Sequence, residues 1–338
     1  MEKECIYDVT IVGGGPVGLF AAFYSGMREL KTKIIESLPH LGGKVAYFYP
    51  EKMIRDIGGI PSLSGDELTA NLIAQAETFD PEIVLGEQIM HVEKHKDNYF
   101  ILRDEDGSTH MTRTVILATG FGSLQPVELN HPKANEFLET SLHYSIHDLA
   151  QFKDKRVVIS GGGDAAVDWA NELQPLAKQV TLIYRQESFK GIESNVTKMG
   201  NAGVHILTSS EIVDLHGEVG QLSSVSVKNK HSGATQILEL DDLLVNHGFH
   251  IDLGPIREWG MTMTEKGISV DASMETSIPG IYAIGDIADY DHKLPLIAGG
   301  FNEGPIAVNS AKLHVQPDKS LTAIFSTNYD PLLEKDYD

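Results

Sequence analysis

Cysteine is nearly absent from this chain. Cys5 is the only one among 338 residues, which excludes an intramolecular disulfide, a Cys-only metal site and any reaction that needs two thiols. Positive charge is scarce too: 27 Lys and Arg stand against 48 Asp and Glu, a formal charge of −21. Such a surface repels nucleic acid and anionic membrane, so neither is expected as a partner. Long apolar runs are missing, and no stretch approaches the ~18 uninterrupted apolar residues of a membrane span. Met1-Glu2-Lys3-Glu4 has neither the basic nor the apolar region of a secretory leader. With so little cysteine, the expected compartment is the cytosol. The histidines, His147 included, show no ligand spacing, and no metal site is expected.

What is present suits a globular protein: 41% hydrophobic and 22% charged residues, over a length sufficient for two domains. Near the start, Val9 to Val12 reads as a short buried strand, and Gly13, Gly15 and Gly18 complete a Gly-x-Gly-x-x-Gly turn. The apolar run Leu19 to Tyr24 continues it as a helix. In such a turn the first glycine permits the tight bend, the second lets a pyrophosphate approach the backbone, and the third lets helix and strand pack closely. The helix N-terminus adds free N–H groups and a positive dipole end. A second strand, Thr32 to Ile35, leads to Glu36, eighteen residues after Gly18, where an acid would hold a ribose hydroxyl pair.

Ser37 to Lys44 reads as a loop, and Asp66 to Phe79 as an amphipathic helix with Leu68, Leu72, Ala76 and Phe79 on one side. Glu87 to Lys94, Asn98 to Asp104 and Thr109 to Val115 are strand-like, and the last of them runs on into the turn Ala118-Thr119-Gly120. The unit then repeats. Val157 to Ser160 is a strand, Gly161, Gly163 and Ala166 fill Gly-x-Gly-x-x-Ala, and a helix follows from Val167 to Leu176. The second motif begins 148 residues after the first. Its next strand, Val180 to Tyr184, ends in Arg185 with Lys190 close behind. A base where an NAD site places an acid suits a 2′-phosphate, so NADPH is expected there, against a bland alternative in which Arg185 pairs with Glu187. Late in the chain another strand ends in Gly285-Asp286, Gly304 to Leu313 reads as a helix, and the tail from Gln316 reads as irregular.

The Gly13–Gly18 motif with Glu36, Ala118-Thr119-Gly120, the Gly161–Ala166 motif and Gly285-Asp286 occur in this order over nearly the whole chain. Together they resemble the two-dinucleotide-domain flavoproteins of the thioredoxin reductase type. That resemblance implies an α/β fold of two Rossmann-like domains: an FAD domain over residues 1–117 and 246–338, and an NADPH domain inserted at 118–245. Asp286 would bond the ribityl chain. Thioredoxin reductases carry Cys-x-x-Cys just ahead of the second motif, and here Ser145 and Asp148 stand in those positions, so no dithiol can accept electrons. Tyr49-Pro50-Glu51-Lys52, the run Gly163 to Ala170 and the extended tail are similar to the cysteine-free branch, the ferredoxin/flavodoxin–NADP reductases.

In that branch Tyr49 would stack on one face of the isoalloxazine and Phe325 on the other. Lys44, where the branch has glutamine, would reach a flavin carbonyl or phosphate, and Thr327 and backbone near Ile89 and Leu124 would complete the FAD site. Hydride would pass from NADPH to FAD and electrons singly to a ferredoxin or flavodoxin, in a homodimer. Ala118 to Gly120 and Asn246 to Phe249 would be hinges. An NADPH oxidase or diaphorase, or a non-enzymatic redox-sensing flavoprotein, would share every one of these motifs, and the sequence leaves them open.

Overall fold

The protein is described from a computed structural model covering residues 5–146, 148–319 and 325–328. It divides into two compact units, one built from residues 1–123 and 252–338, the other from 124–251. The crossings thus lie at 123/124 and 251/252, six residues beyond the expected 117/118 and 245/246 at each crossing. The reason is local. The two connecting segments, Ser123–Pro126 and Phe249–Asp252, pair with each other as a separate two-stranded sheet.

The first unit is organised by its first strand, Ile6–Val12, which pairs in parallel with Thr32–Glu36 on one side and Thr109–Leu117 on the other. Glu82–Leu85 extends the sheet beyond Thr32–Glu36. Ile281–Ala283 pairs in parallel with the last residues of Thr109–Leu117, whose first residues take Phe100–Asp104 and then Ile89–Lys94 as antiparallel neighbours. Both faces are covered, and the period of two sorts the side chains between them. Val9, Ile11, Ile34, Ile116 and Tyr282 join the core beneath the helices. Val12, Ile35, Val115, Leu117, Ile281 and Ala283 join the core on the other face.

Three helices cover the first of these faces. Pro16–Met27 begins with proline, whose missing N–H costs nothing in a first turn. Gly65–Ala76 is launched by a capping box: Ser64 Oγ accepts from the Glu67 N–H (3.1 Å), and the Ser64 N–H donates to Glu67 Oε2 (2.8 Å). Leu68, Leu72 and Ala76 of that helix are buried as the spacing predicts, while Glu77–Phe79 continues as a 3-10 turn.

The last helix runs Ile297–Val315, well beyond the expected Gly304 to Leu313, with Pro305 inside it. Gly299, Gly300, Gly304 and Pro305 read locally as breakers. Packing overrides them: a Cβ on Gly300 would stand 2.3 Å from Val17 Cγ2, and one on Gly304 3.4 Å from Ala21 Cβ. Small residues let this helix lie against Pro16–Met27. A second correction concerns Lys44, read as part of a loop. It belongs to a short helix, Gly43–Phe48, entered through the left-handed Gly42 (φ +112°).

The second unit is a five-stranded parallel sheet in the order Leu142–His143, Asp242–Asn246, Arg156–Gly161, Gln179–Ile183, His205–Leu207. Val157 and Ile159 pack with Val167, Ala170 and Leu173 of the helix Asp164–Leu173. Val158, Leu243 and Val245 face the other way, in a core with Leu215, Leu222 and Val225 of the antiparallel sheet Ser210–Glu218, Gln221–Asn229, Thr235–Glu239. No described helix is long and apolar enough to cross a membrane. Most of the tail expected to be irregular falls outside the described residues.

A Cβ at position 18 would stand 2.0 Å from the Gly13 carbonyl oxygen, a backbone atom that cannot step aside. Gly18→Ala is expected to lower the stability of the first unit by about 1–3 kcal/mol, as overpacked substitutions do. Scanning calorimetry would show this as a lower midpoint. Gly58→Ala, where a Cβ meets nothing within 4 Å, should leave the midpoint unchanged.

Candidate functional site

Parallel pairing brings the C-terminal ends of Ile6–Val12, Thr32–Glu36, Thr109–Leu117 and Ile281–Ala283 to one edge. Open α/β sheets bind ligands at that edge. The turn after the first strand is pressed against the protein on one side only. Gly13 has φ +111°, and a Cβ there would stand 2.4 Å from the Ala118 carbonyl oxygen. At Gly15 the nearest atom, the Gly43 Cα, would be 3.9 Å away, so that side is uncrowded. Helix Pro16–Met27 starts here with no side chain capping its N-terminus, and its N–H groups are left for an anion. Thr119 Oγ1, on the adjacent strand end, is buried with no hydrogen-bond partner.

Glu36 is only 6% exposed at the end of its strand. Its Oε2 accepts from the Gly14 N–H (2.7 Å), and its Oε1 from the Leu38 N–H (2.9 Å) and Ser37 Oγ (3.1 Å). Three donors on a carboxylate with about four lone-pair sites leave room for a further donor. Across the edge, Lys44 Nζ lies 3.3 Å from Asp286 Oδ2 and 3.9 Å from the centroid of the Phe121 ring. Burial lowers the Lys44 pKa, and the Asp286 carboxylate works against that shift. Asp286 sits in the 3-10 turn Gly285–Ile287.

Tyr49 closes the helix that carries Lys44. It is half-buried, with its ring centroid 6.1 Å from that of Phe48 and the Lys52 ammonium 5.4 Å from its own. Ile89 is buried in the sheet core. Leu124 lies in the connecting strand Ser123–Pro126. Phe325 is 64% exposed, and Thr327 lies exposed in the turn Ser326–Asn328. Gly13, Gly15, Gly18, Glu36, Lys44 and Asp286 thus belong to one sheet edge; Phe325 and Thr327 carry no such placement.

Sequence reading missed three residues here. Glu303, buried in the last helix, accepts from the Gly285 N–H and from Tyr290 Oη, and pairs with Lys293. The available signal was the one acid in the helix, set among small and apolar residues.

The second unit repeats the half-pressed, half-open turn. At Gly161 a Cβ would stand 2.4 Å from the Asn246 carbonyl oxygen, Ala166 is fully buried, and at Gly163 a Cβ would meet nothing within 4 Å. Helix Asp164–Leu173 also starts with no side-chain cap. The Tyr184 ring covers Gly162 and stacks on Phe189 with centroids 5.5 Å apart. The Lys190 N–H donates to the Gly162 carbonyl (2.8 Å), which ties the basic segment to the glycine turn.

Arg185 and Lys190 are exposed. Glu187, the alternative partner for Arg185, pairs instead with His231 (3.1 Å), and Arg185 makes no ion pair among the described residues. Asn246 Oδ1 is buried without a partner, and His247 Nε2 lies 2.8 Å from Ser160 Oγ. Partial desolvation and the nearby Arg185 guanidinium lower the His247 pKa. Where a dithiol would stand, Asp148 caps a 3-10 turn through the Ala150 N–H (2.8 Å); His147 lies outside the described residues. Cys5 is exposed. No group of three or more His, Cys, Asp or Glu among the described residues could hold a metal ion.

A family model described as pyridine nucleotide-disulphide oxidoreductase matches residues 7–311. A ferredoxin–NADP reductase of Bacillus velezensis is 50% identical over 332 residues, covering 98% of this chain and 99% of that protein. One from Listeria monocytogenes serotype 4b is 48% identical over 328 residues, covering 97% of this chain and 98% of that protein. Among solved structures, a thioredoxin reductase of Lactococcus lactis (FR conformation) superposes with a TM-score of 0.78 at 26% identity, over 91% of this chain and 99% of that one. Two Rossmann-type units, one inserted in the other, and near full-length likeness at this level place the chain: it belongs to the pyridine nucleotide-disulphide oxidoreductase family, among the ferredoxin–NADP reductases with the thioredoxin reductase fold.

Proposed function

We propose that this oxidoreductase passes electrons between NADPH and a ferredoxin-type carrier, with FAD held at the edge of the first unit and NADPH at the edge of the second. The observation that carries the reading is the repeated turn. In each unit the first and third motif positions are packed against the protein and the middle one is uncrowded, as a pyrophosphate cradle requires. The donors fit the two nucleotides differently. Glu36 retains an acceptor site for a ribose hydroxyl, whereas Arg185 and Lys190 offer unpaired cations to a 2′-phosphate.

When bound, FAD supplies the conversion between a two-electron hydride donor and a one-electron carrier. The chain's own residues bind and orient. The Pro16–Met27 N-terminus takes the FAD pyrophosphate, Asp286 accepts from a ribityl hydroxyl, and Lys44 brings a positive charge to the same place. Tyr49 and Phe325 stack on the isoalloxazine, and Thr327 and backbone near Ile89 and Leu124 complete the site. A lone Cys5, with Ser145 and Asp148 in the dithiol positions, supports a one-electron carrier rather than a disulfide as acceptor. The same reading extends to flavodoxin as an alternative carrier, to a homodimer in the cytosol, and to hinges at Ala118 to Gly120 and Asn246 to Phe249.

The direct test is spectroscopic and kinetic. The purified protein is expected to be yellow, with one FAD per chain, and NADPH-driven cytochrome reduction should depend on added ferredoxin. A colourless protein that takes up no FAD overturns the site assignment. A rate indifferent to ferredoxin or flavodoxin makes the protein a diaphorase.

NADPH should be preferred over NADH. Losing a charge-assisted phosphate contact costs about 1.5–3 kcal/mol, so Arg185→Ala should cut the ratio of kcat/KM values by at least ~tenfold. An unchanged ratio would remove Arg185 from the phosphate site.

Phe325→Ala should uncover one flavin face, since an exposed aromatic in the tail is the group available to shield it. Faster oxygen reduction and a shifted flavin absorbance are the expected readouts. An identical spectrum and oxygen rate would leave Phe325 without this role.

A further inference from the structure

Glu303 is a charged group in an apolar place. It lies within helix Ile297–Val315 and is 1% exposed. Its Oε2 accepts from the Gly285 N–H at 2.6 Å. Its Oε1 accepts from Tyr290 Oη at 2.7 Å and pairs with the Lys293 ammonium. Lys293 Nζ in turn donates to the Gly285 carbonyl oxygen at 2.9 Å. One ion pair therefore holds both the N–H and the C=O of a single residue.

Those two groups belong to different peptide planes, the one entering Gly285 and the one leaving it toward Asp286. Peptide planes are stiff, so the only soft angles between them are φ and ψ of Gly285. With both planes tied down, neither angle is free. This matters at Gly285 because it adopts the left-handed region, φ +71°, where glycine alone moves without steric cost. The plane that leaves Gly285 ends on the Asp286 Cα, so its orientation sets the base from which the Asp286 side chain, itself paired with Lys44, projects.

The pair is poorly explained as a stabilising device. Buried ion pairs are often replaced by apolar residues without loss, because desolvation offsets their attraction. Burial and the hydrogen bond to Glu303 push the Tyr290 pKa up to about 12, which keeps its hydroxyl a donor to that carboxylate. The clamp also stands beside the first glycine turn. Val17, in the first turn of helix Pro16–Met27, is the nearest neighbour that a Cβ at Gly285 (3.5 Å) or at Gly300 (2.3 Å) would meet.

We propose that Glu303 and Lys293 are positioning residues that lock the Gly285 turn and thereby aim Asp286 at the FAD ribityl chain. The inference rests on the reading of the first unit as the FAD site.

The test is a double-mutant cycle on the holoenzyme, read as the rate of FAD release after dilution, followed by the rise of free flavin fluorescence. Glu303→Gln keeps the shape and removes the charge. It should release FAD about tenfold faster than the natural protein, the equivalent of one lost charge-assisted bond. In an Asp286→Ala background the same change should add less than about twofold, because the group it aims is gone. Lys293→Met should follow the same pattern, and the visible circular dichroism of bound flavin should change alike in Glu303→Gln and Asp286→Ala.

An equal acceleration in both backgrounds, or none in either, overturns the inference while leaving the FAD site intact. Absence of FAD from the natural protein overturns the site reading itself. Should Glu303→Gln not fold, Tyr290→Phe carries the cycle, since it removes one donor and keeps the pair. About threefold faster release with Asp286 and none without it is then expected, and equal effects overturn the proposal.

Discussion

How closely the first helix lies on the sheet depends on one contact, the approach of Gly18 to the Gly13 carbonyl, where a side chain would stand 2.0 Å from a backbone oxygen. That closeness propagates. It sets the depth of Val17 and Ala21, against which Gly300 and Gly304 of the last helix pack. It also aims the helix N-terminus at the strand edge where Glu36 and Asp286 stand. The seam of small residues between these two helices is therefore the mechanical base of the edge, and close packing carries a substitution along it to that edge.

The two units build different strand ends on one supersecondary device. Both begin with a strand, a half-pressed glycine turn and an uncapped helix. They diverge at the end of the next strand. In the first, a buried acid is fixed by three donors with one acceptor site left. In the second, an aromatic ring covers the turn, and exposed Arg185 and Lys190 follow it. In a chain of formal charge −21, an unpaired guanidinium is locally conspicuous. Its positive field runs against the sign of the rest of the surface.

Much of this was legible in the sequence because the signals are local. The apolar strands Ile6–Val12 and Arg156–Gly161, the glycine spacings and the acid or base at the next strand end are each fixed by a few neighbouring residues. Three features were not. The last helix begins at Ile297, yet Gly299, Gly300, Gly304 and Pro305 argue locally against it, and the packing of Gly300 on Val17 and of Gly304 on Ala21 is what the local sequence does not show. Lys44 is helical because Gly42 turns the chain into Gly43–Phe48, a six-residue element too short for periodicity to register. The Glu303 clamp joins residues eighteen apart through a turn and a helix, and no spacing rule reaches that far.

The dithiol position shows what the chain does in place of covalent chemistry. Thioredoxin reductases are built to present two reactive sulfurs there. Here the Asp148 carboxylate is spent on the Ala150 N–H, which starts a turn that buries Phe152. That segment has become structural. With no dithiol to relay electrons, the protein's contribution reduces to geometry and field at the two strand edges. The ion pairs of Lys44 with Asp286 and of Lys293 with Glu303 meet at one tripeptide turn, Gly285–Ile287. One supplies charge that burial makes costly to keep, and the other supplies the rigidity that keeps the first in place. A surface residue could provide the charge alone. Fixing the turn takes the buried pair, in which Glu303 reaches the turn from the long helix and accepts from the Gly285 N–H while Lys293 donates to the Gly285 carbonyl oxygen.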